Sequence, residues 1–235
     1  MVNKEGYVYG GSHRSNRCYM SPLRLRYQTV EFGDMDIHIR TLRDNQQFSD
    51  TDGASEELGI SSAMWPLFGV VWTSGEILAQ LMSDFDITGK RILEVGCGIG
   101  LASLVLNHRA ADITATDHHP EAEAFLRWNT ELNDDREIPF MRTAWSDEDI
   151  GLGEFDLIIG SDLLYERENV EPLATFIDRH ARAHCKVIIV DPGRGNHARF
   201  SRCMVNLGYS HSQSKPVDTD YLAQAFKGQI LRYAS

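Results

Sequence analysis

Arg91-Ile92-Leu93-Glu94-Val95-Gly96-Cys97-Gly98-Ile99-Gly100 joins a short apolar run to a turn of three glycines, and its reading decides the fold. A run of this length stopped by glycine suits a buried strand, and the residues over 101–108 then read as a helix. The pattern repeats downstream: strands are expected near 91–95, 113–116, 140–144, 155–160 and 186–191, with helices near 101–108, 120–133, 171–183 and 196–207. Short apolar runs alternating with helical stretches predict an α/β protein with a doubly wound, mostly parallel sheet. Residues 226–233 read as a last strand, antiparallel to the rest.

Upstream the text differs. Two alternating stretches, 27–32 and 35–40, are broken by Gly33-Asp34 and predict a β-hairpin. Residues 45–62 are polar and without period, as in a mobile connection. Ile77, Leu78, Leu81, Met82 and Phe85 then fall on one face of a helix over 74–85. The expected division is an N-terminal extension, 1–62, and a main domain, 63–235.

At 235 residues the chain suits one α/β core, and 24% charged residues leave little room for long disorder. No apolar run approaches the roughly 20 residues of a membrane span, and the first residues lack a secretory apolar core. Cys18, Cys97, Cys185 and Cys203 are scattered without a C-x-x-C pair, which suits reduced thiols, so a cytoplasmic location is expected and no metal site. A net charge of -11 disfavours a nucleic-acid partner, whose phosphates need Lys and Arg. No membrane partner is expected.

In a doubly wound sheet the ligand sits beyond the carboxyl ends of the strands, so the turn after the first of them is the place to look. Gly96, Gly98 and Gly100 permit close backbone approach to a ligand, and the following helix offers free N–H groups. Asp117 lies nineteen residues past Gly98, about the spacing at which an acid receives ribose hydroxyls. A dinucleotide fingerprint starting at Gly96 would place its third glycine at Leu101; here it falls one residue early. Glu94 would repel a pyrophosphate and suits a cofactor carrying a cationic amine and sulfonium.

Residues 91–100, Asp117 and Ser161-Asp162-Leu163-Leu164-Tyr165 together resemble the seven-β-strand, Rossmann-like S-adenosylmethionine-dependent methyltransferases. The likeness is to their protein-lysine branch, family 16-like, marked by D-x-x-Y after the fourth core strand. It implies a seven-stranded sheet and S-adenosyl-L-methionine as cofactor. The implied binding residues are the glycine turn with Gly96, Cys97, Gly98 and Gly100, then Asp117, Trp72 and Trp145; Glu94 by its charge, and His118 and Ser161 by position beside these residues, are counted as cofactor-binding with them, and Asp162 and Tyr165 are the expected catalytic residues, with a lysine of a protein as acceptor. Tryptophan also has a physical case, since adenine needs a flat apolar wall. Trp65 reads as core.

Methyl transfer is an in-line displacement, so the protein must chiefly position a nucleophile and exclude water. A carboxylate is too weak a base for an ammonium of pKa about 10.4, so Asp162 is assigned orientation and charge complementarity to it. Tyr165 would supply a wall and a hydroxyl. The alternative for Asp162 is an N-cap of the next helix. Asp191-Pro192-Gly193-Arg194 resembles a segment of methyltransferases acting on the electron-transfer flavoprotein β subunit, or is simply a turn. His180 and His184, four apart on an expected helix, read as surface residues, and Arg14, Arg17, Arg24 and Arg26 as partners in surface pairs. A small-molecule methyltransferase, a non-catalytic nucleotide-binding module and a dinucleotide oxidoreductase stay open as alternatives.

Overall fold

The structure, a computed structural model, describes residues 24–43, 60, 65–148 and 151–235. The expected connection over 45–62, apart from Ile60, and Cys18, Arg14 and Arg17 lie outside them.

Leu25–Phe32 (β1) and Met35–Leu42 (β2) form the antiparallel hairpin, with Phe32 opposite Met35 and Gly33 at φ +65 in the turn. Trp65–Gly69 is a short 3-10 turn, followed by Thr73–Asp84 (α1). The βα alternation then runs Arg91–Val95 (β3), Leu101–His108 (α2), Asp112–Asp117 (β4), Ala122–Leu132 (α3), Phe140–Arg142 (β5), Phe155–Ser161 (β6), Val170–Arg179 (α4), Ala181–Asp191 (β7), His197–Asn206 (α5), Ser210–Ser214 (β8) and Gln229–Ala234 (β9). The large sheet has the order β5-β4-β3-β6-β7-β9-β8. Strands β3 to β7 are parallel, and β9 enters antiparallel between β7 and β8. The order reverses at β3, between β4 and β6, so the expected doubly wound seven-stranded sheet is present and its crevice opens past Val95.

Alternation along the strands divides the core between two faces. Ile92, Leu157, Ile159, Ile188 and Val190 pack with α1, α2 and the hairpin, whereas Leu93, Val95, Ile158, Val187 and Ile189 pack with α4 and α5. Phe155 joins the second face because the β6–β7 register shifts between Phe155 and Leu157. Both faces of a parallel sheet are thereby covered.

The hairpin is fastened to this core by more than burial of Ile37, Ile39 and Leu42. On β2, Arg40 N donates to Asn129 Oδ1 at 2.7 Å while Asn129 Nδ2 donates to Arg40 O at 3.2 Å; His38 does the same with Asn133 at 2.8 and 2.7 Å. Two side-chain amides of α3 and its C-terminal cap so occupy the open edge of β2, as a neighbouring strand would. Arg40 also lies 3.7 Å from the Trp128 ring centroid.

Three expectations need correction. The helix over 171–183 ends at Arg179, since the chain enters β7 at Ala181, five residues before the expected strand. His180 and His184 thus share no helix, and His180 is buried, its Nδ1 2.8 Å from Gly153 O. β8 was not anticipated: Ser-His-Ser-Gln-Ser has no apolar alternation because it is an exposed edge strand. Arg24 and Arg26 are exposed. Among the described residues no helix is long and apolar enough to cross a membrane.

Candidate active site

β3 ends at Val95, and Gly96 and Gly98 turn the chain with φ of +61 and +57. A Cβ on Gly98 would stand 2.9 Å from the backbone oxygen of Phe68, and one on Gly96 would strike Leu163, so both positions need the missing side chain. Cys97 N donates to Thr116 O at 2.9 Å, carrying the β3–β4 ladder into the turn. Gly98 N donates to Asp117 Oδ2, and Asp117 Oδ1 accepts His119 N, each at 2.8 Å. Asp117 therefore pins the glycine turn, while each carboxylate oxygen keeps a further acceptor position.

Glu94 is 4% exposed and points its Oε2 at α2, accepting Ser103 N at 2.9 Å and a short bond from Ser103 Oγ. Gly100 caps α2 by backbone and Ser103 is its third residue, so the carboxylate neutralises an orphan donor and the positive end of the helix. Even so, burial pushes the Glu94 pKa up to about 7, with Asp117 adding to the rise. Asp117 is raised as well, by burial first, against the backbone donors that lower it. Burial, with Asp117 and Glu94 adding to it, lifts the Cys97 thiol well above its usual range, leaving it neutral.

A cavity of about 670 Å³ opens over this turn, at the carboxyl ends of β3, β4 and β6. It brings together Trp72, Glu94, Gly96, Cys97, Gly98, Asp117, His118, Trp145, Ser161, Asp162 and Tyr165. Gly100 stands apart from the cavity; a Cβ there would strike Leu126, so its glycine serves helix entry and packing.

Each aromatic wall is anchored. Trp145 lies over Gly96, whose Cβ would be 3.6 Å from its Cζ2, on a loop braced by Asp147, which accepts Ala144 N at 2.8 Å and Thr143 Oγ1 at 3.1 Å. Trp72 donates Nε1 to Leu67 O at 3.0 Å and faces Arg194, 6.0 Å from its ring centroid. Phe68 stacks on His119 at 3.8 Å, and Trp65 packs on the same imidazole, as its core reading expected. Burial drives the His119 pKa down to about 3, so the ring is neutral.

Asp162 follows β6 in the left-handed conformation, φ +55, and its backbone N donates to Val190 O at 2.9 Å. Its carboxylate meets Arg194 in a two-point pair, Nε to Oδ1 at 2.6 Å and Nη2 to Oδ2 at 2.8 Å. The N-cap alternative fails, since α4 begins at Val170 after Asn169. Burial, helped by Asp117, Glu166 and Asp162, raises the Tyr165 hydroxyl far above neutrality. Sequence reasoning missed Asp147, Glu166 and Phe68, and noted Arg194 only within the segment 191–194, without assigning it to the site. A Thr-Ala-x-x-Asp spacing over 143–147 could have suggested the brace; nothing local marks the others.

The lining carries carboxyl groups of Glu94, Asp117, Asp147, Asp162 and Glu166 against the guanidinium of Arg194 and the imidazoles of His118 and His119. Among the described residues no cluster of His, Cys, Asp and Glu could hold a metal ion.

Among solved structures, the TehB-like SAM-dependent methyltransferase from Corynebacterium glutamicum superposes with a TM-score of 0.55 at 20% identity, covering 70% of this chain and 88% of that one. That likeness defines the class by fold alone, an α/β protein with a doubly wound seven-stranded sheet. The model of the lysine methyltransferase family matches residues 55–202, and the chain belongs to that family. Its relatives include the electron transfer flavoprotein beta subunit lysine methyltransferase of Xenopus laevis, 32% identical over 58% of this chain and 55% of that protein. Protein N-lysine methyltransferase METTL21A of Danio rerio is 29% identical over 53% of this chain and 62% of that protein. The chain thus matches between about half and three-fifths of the length of these relatives.

Proposed function

We propose that this protein binds S-adenosyl-L-methionine in the cavity over 96–98 and methylates a lysine side chain of a protein. The observation that carries the reading is the charge of the cavity: buried Glu94 and Asp117, both raised, flank a glycine turn that no side chain can fill. Buried acids of this kind favour a ligand of net positive charge over one bearing a pyrophosphate. Glu94, Asp117 and the backbone of Gly96 and Gly98 would hold the cofactor, with Trp72, Trp145, Cys97, His118 and Ser161 as walls and contacts. When bound, it supplies a methyl group on a sulfonium.

The chain's own residues then have limited work. Asp162 attracts and orients the acceptor amine, whose proton leaves to solvent before attack. Tyr165 keeps its proton at neutral pH, so it is a hydrogen-bond donor and a wall, not a base. The apolar sides of Trp72, Trp145 and Leu163 exclude water from the transfer.

In this reading 63–235 is the methyltransferase domain and 1–62 an extension whose hairpin is fastened by Asn129 and Asn133. A cytoplasmic location and the absence of a nucleic-acid partner belong to the same reading, supported by the free thiols of Cys97, Cys185 and Cys203 and by the net charge of -11. Methyl-labelled cofactor added with the protein to a cell extract should tag one or a few proteins. Label confined to small molecules selects the small-molecule alternative, and calorimetry that finds NAD binding without S-adenosylhomocysteine binding overturns the reading.

A further inference from the structure

Arg194 sits on the carboxylate that the proposed reaction needs. The Asp162 side chain is 10% exposed and that of Arg194 42%, so the acid is inside the cavity and the guanidinium reaches in from its rim. The reach is built into the turn after β7. Asp191, buried at the strand end, accepts Gly193 N at 3.0 Å, and Gly228 packs so closely beneath that a Cβ there would stand 2.6 Å from Pro192 Cα. β6 and β7 are neighbours with Ser161 opposite Val190, which brings this turn beside Asp162. Both carboxylate oxygens are engaged by the two-point pair, so an ammonium approaching Asp162 competes with a cation already seated.

We propose that Arg194 is a resident stand-in for the acceptor ammonium: it holds Asp162 until a lysine side chain exchanges with it, the guanidinium withdrawing along the face of Trp72. This rests on the reading of Asp162 as the acceptor carboxylate. The exchange makes and breaks only hydrogen bonds and replaces one cation by another, so the charge of the cavity is unchanged. An exposed ion pair is worth up to about fivefold in an equilibrium constant and a two-point arginine pair more than that, and because the Arg194 side chain is 42% exposed, water and an arriving lysine can reach the guanidinium and displace it. A neutral or anionic acceptor brings no cation to exchange and is refused, which makes Arg194 a specificity-determining residue.

The test uses the full chain, methyl-labelled cofactor and cell extract, with guanidinium chloride and n-butylammonium chloride as probes well below denaturing concentration. Exchange predicts that Arg194→Ala labels protein more strongly at low extract concentration, by about fivefold. n-Butylammonium should then inhibit Arg194→Ala at about fivefold lower concentration than wild type, and guanidinium should inhibit this variant while leaving wild type unaffected. If Arg194 instead holds Asp162 in a productive pose, Arg194→Ala labels less and added guanidinium restores it, which overturns the proposal. Arg194→Gln must behave as Arg194→Ala, so a folding defect peculiar to one variant does not decide the outcome. An independent readout is the Nε–H resonance of Arg194, assigned by its loss in Arg194→Lys: n-butylammonium should move it in wild type, and an unmoved signal overturns the proposal. Wild type that labels no protein removes the reading of the site and the proposal together, whereas restoration by guanidinium removes the proposal alone.

Discussion

Replacing Glu94 by Gln separates what the buried acid does for folding from what it does for binding. The glutamine carbonyl can still accept from Ser103 N and Oγ, so the cap on α2 survives. What disappears is a charge that burial holds at a pKa of about 7 rather than 4.5. A group raised in the folded state contributes fully below its unfolded pKa and loses that contribution as pH rises through the folded one. Between pH 4.5 and 7 wild type therefore gives up about 3 kcal/mol, at about 1.4 kcal/mol per tenfold change, and Glu94→Gln does not. The variant should be more stable than wild type at pH 8, by about 1 to 3 kcal/mol in a urea titration, and no more stable at pH 4.5. Binding should move the opposite way. A cationic ligand draws on the ionised acid, about one tenth of molecules at pH 6, so wild-type affinity for S-adenosylmethionine by calorimetry should fall about tenfold from pH 8 to pH 6 relative to Glu94→Gln. Comparing the two proteins cancels the ligand's own titration. Lower stability of Glu94→Gln at pH 8, or parallel pH profiles for binding, would refute the reasoning.

Gly98→Ala places a side chain at φ +57 against the Phe68 oxygen; it should lose at least about 1 kcal/mol in a thermal melt and bind S-adenosylhomocysteine too weakly for calorimetry. Asp162→Asn tolerates the left-handed backbone and removes the charge, so it should keep its melting temperature while protein labelling drops at least about tenfold; Asp162→Ala should in addition lose about 1 kcal/mol of stability. His119, buried neutral with its pKa lowered to about 3, stabilises fully above pH 6.5 and loses that contribution as pH falls toward 3. His119→Phe should therefore show a shallower decline than wild type in the unfolding free energy from urea titrations between pH 7 and 4, by several kcal/mol at the acid end.

Much of the fold was legible because its signals are local. Period-2 alternation marked the hairpin, short apolar runs marked the core strands, and glycines marked where β3 stops. Expectation failed where a neighbour rather than the sequence sets the conformation: Ala181 becomes strand because Phe155 of β6 lies beside it, and polar Ser210–Ser214 becomes strand because β9 offers an edge. The site divides the same way. The candidate residues other than Gly100 meet in one cavity because strand ends in a parallel sheet converge on one side.

By itself the sequence determined that strand and helix alternate, that a glycine turn follows the first core strand, and that acids stand at Glu94, Asp117 and Asp162. Only the tertiary structure decided their partners: Glu94 with the third residue of α2, Asp117 with the turn itself, Asp162 with an arginine thirty-two residues away. Backbone preferences act over a few residues and can be read from them. Which charges meet depends on which strands lie side by side, and that order is settled by packing both faces of the whole sheet at once.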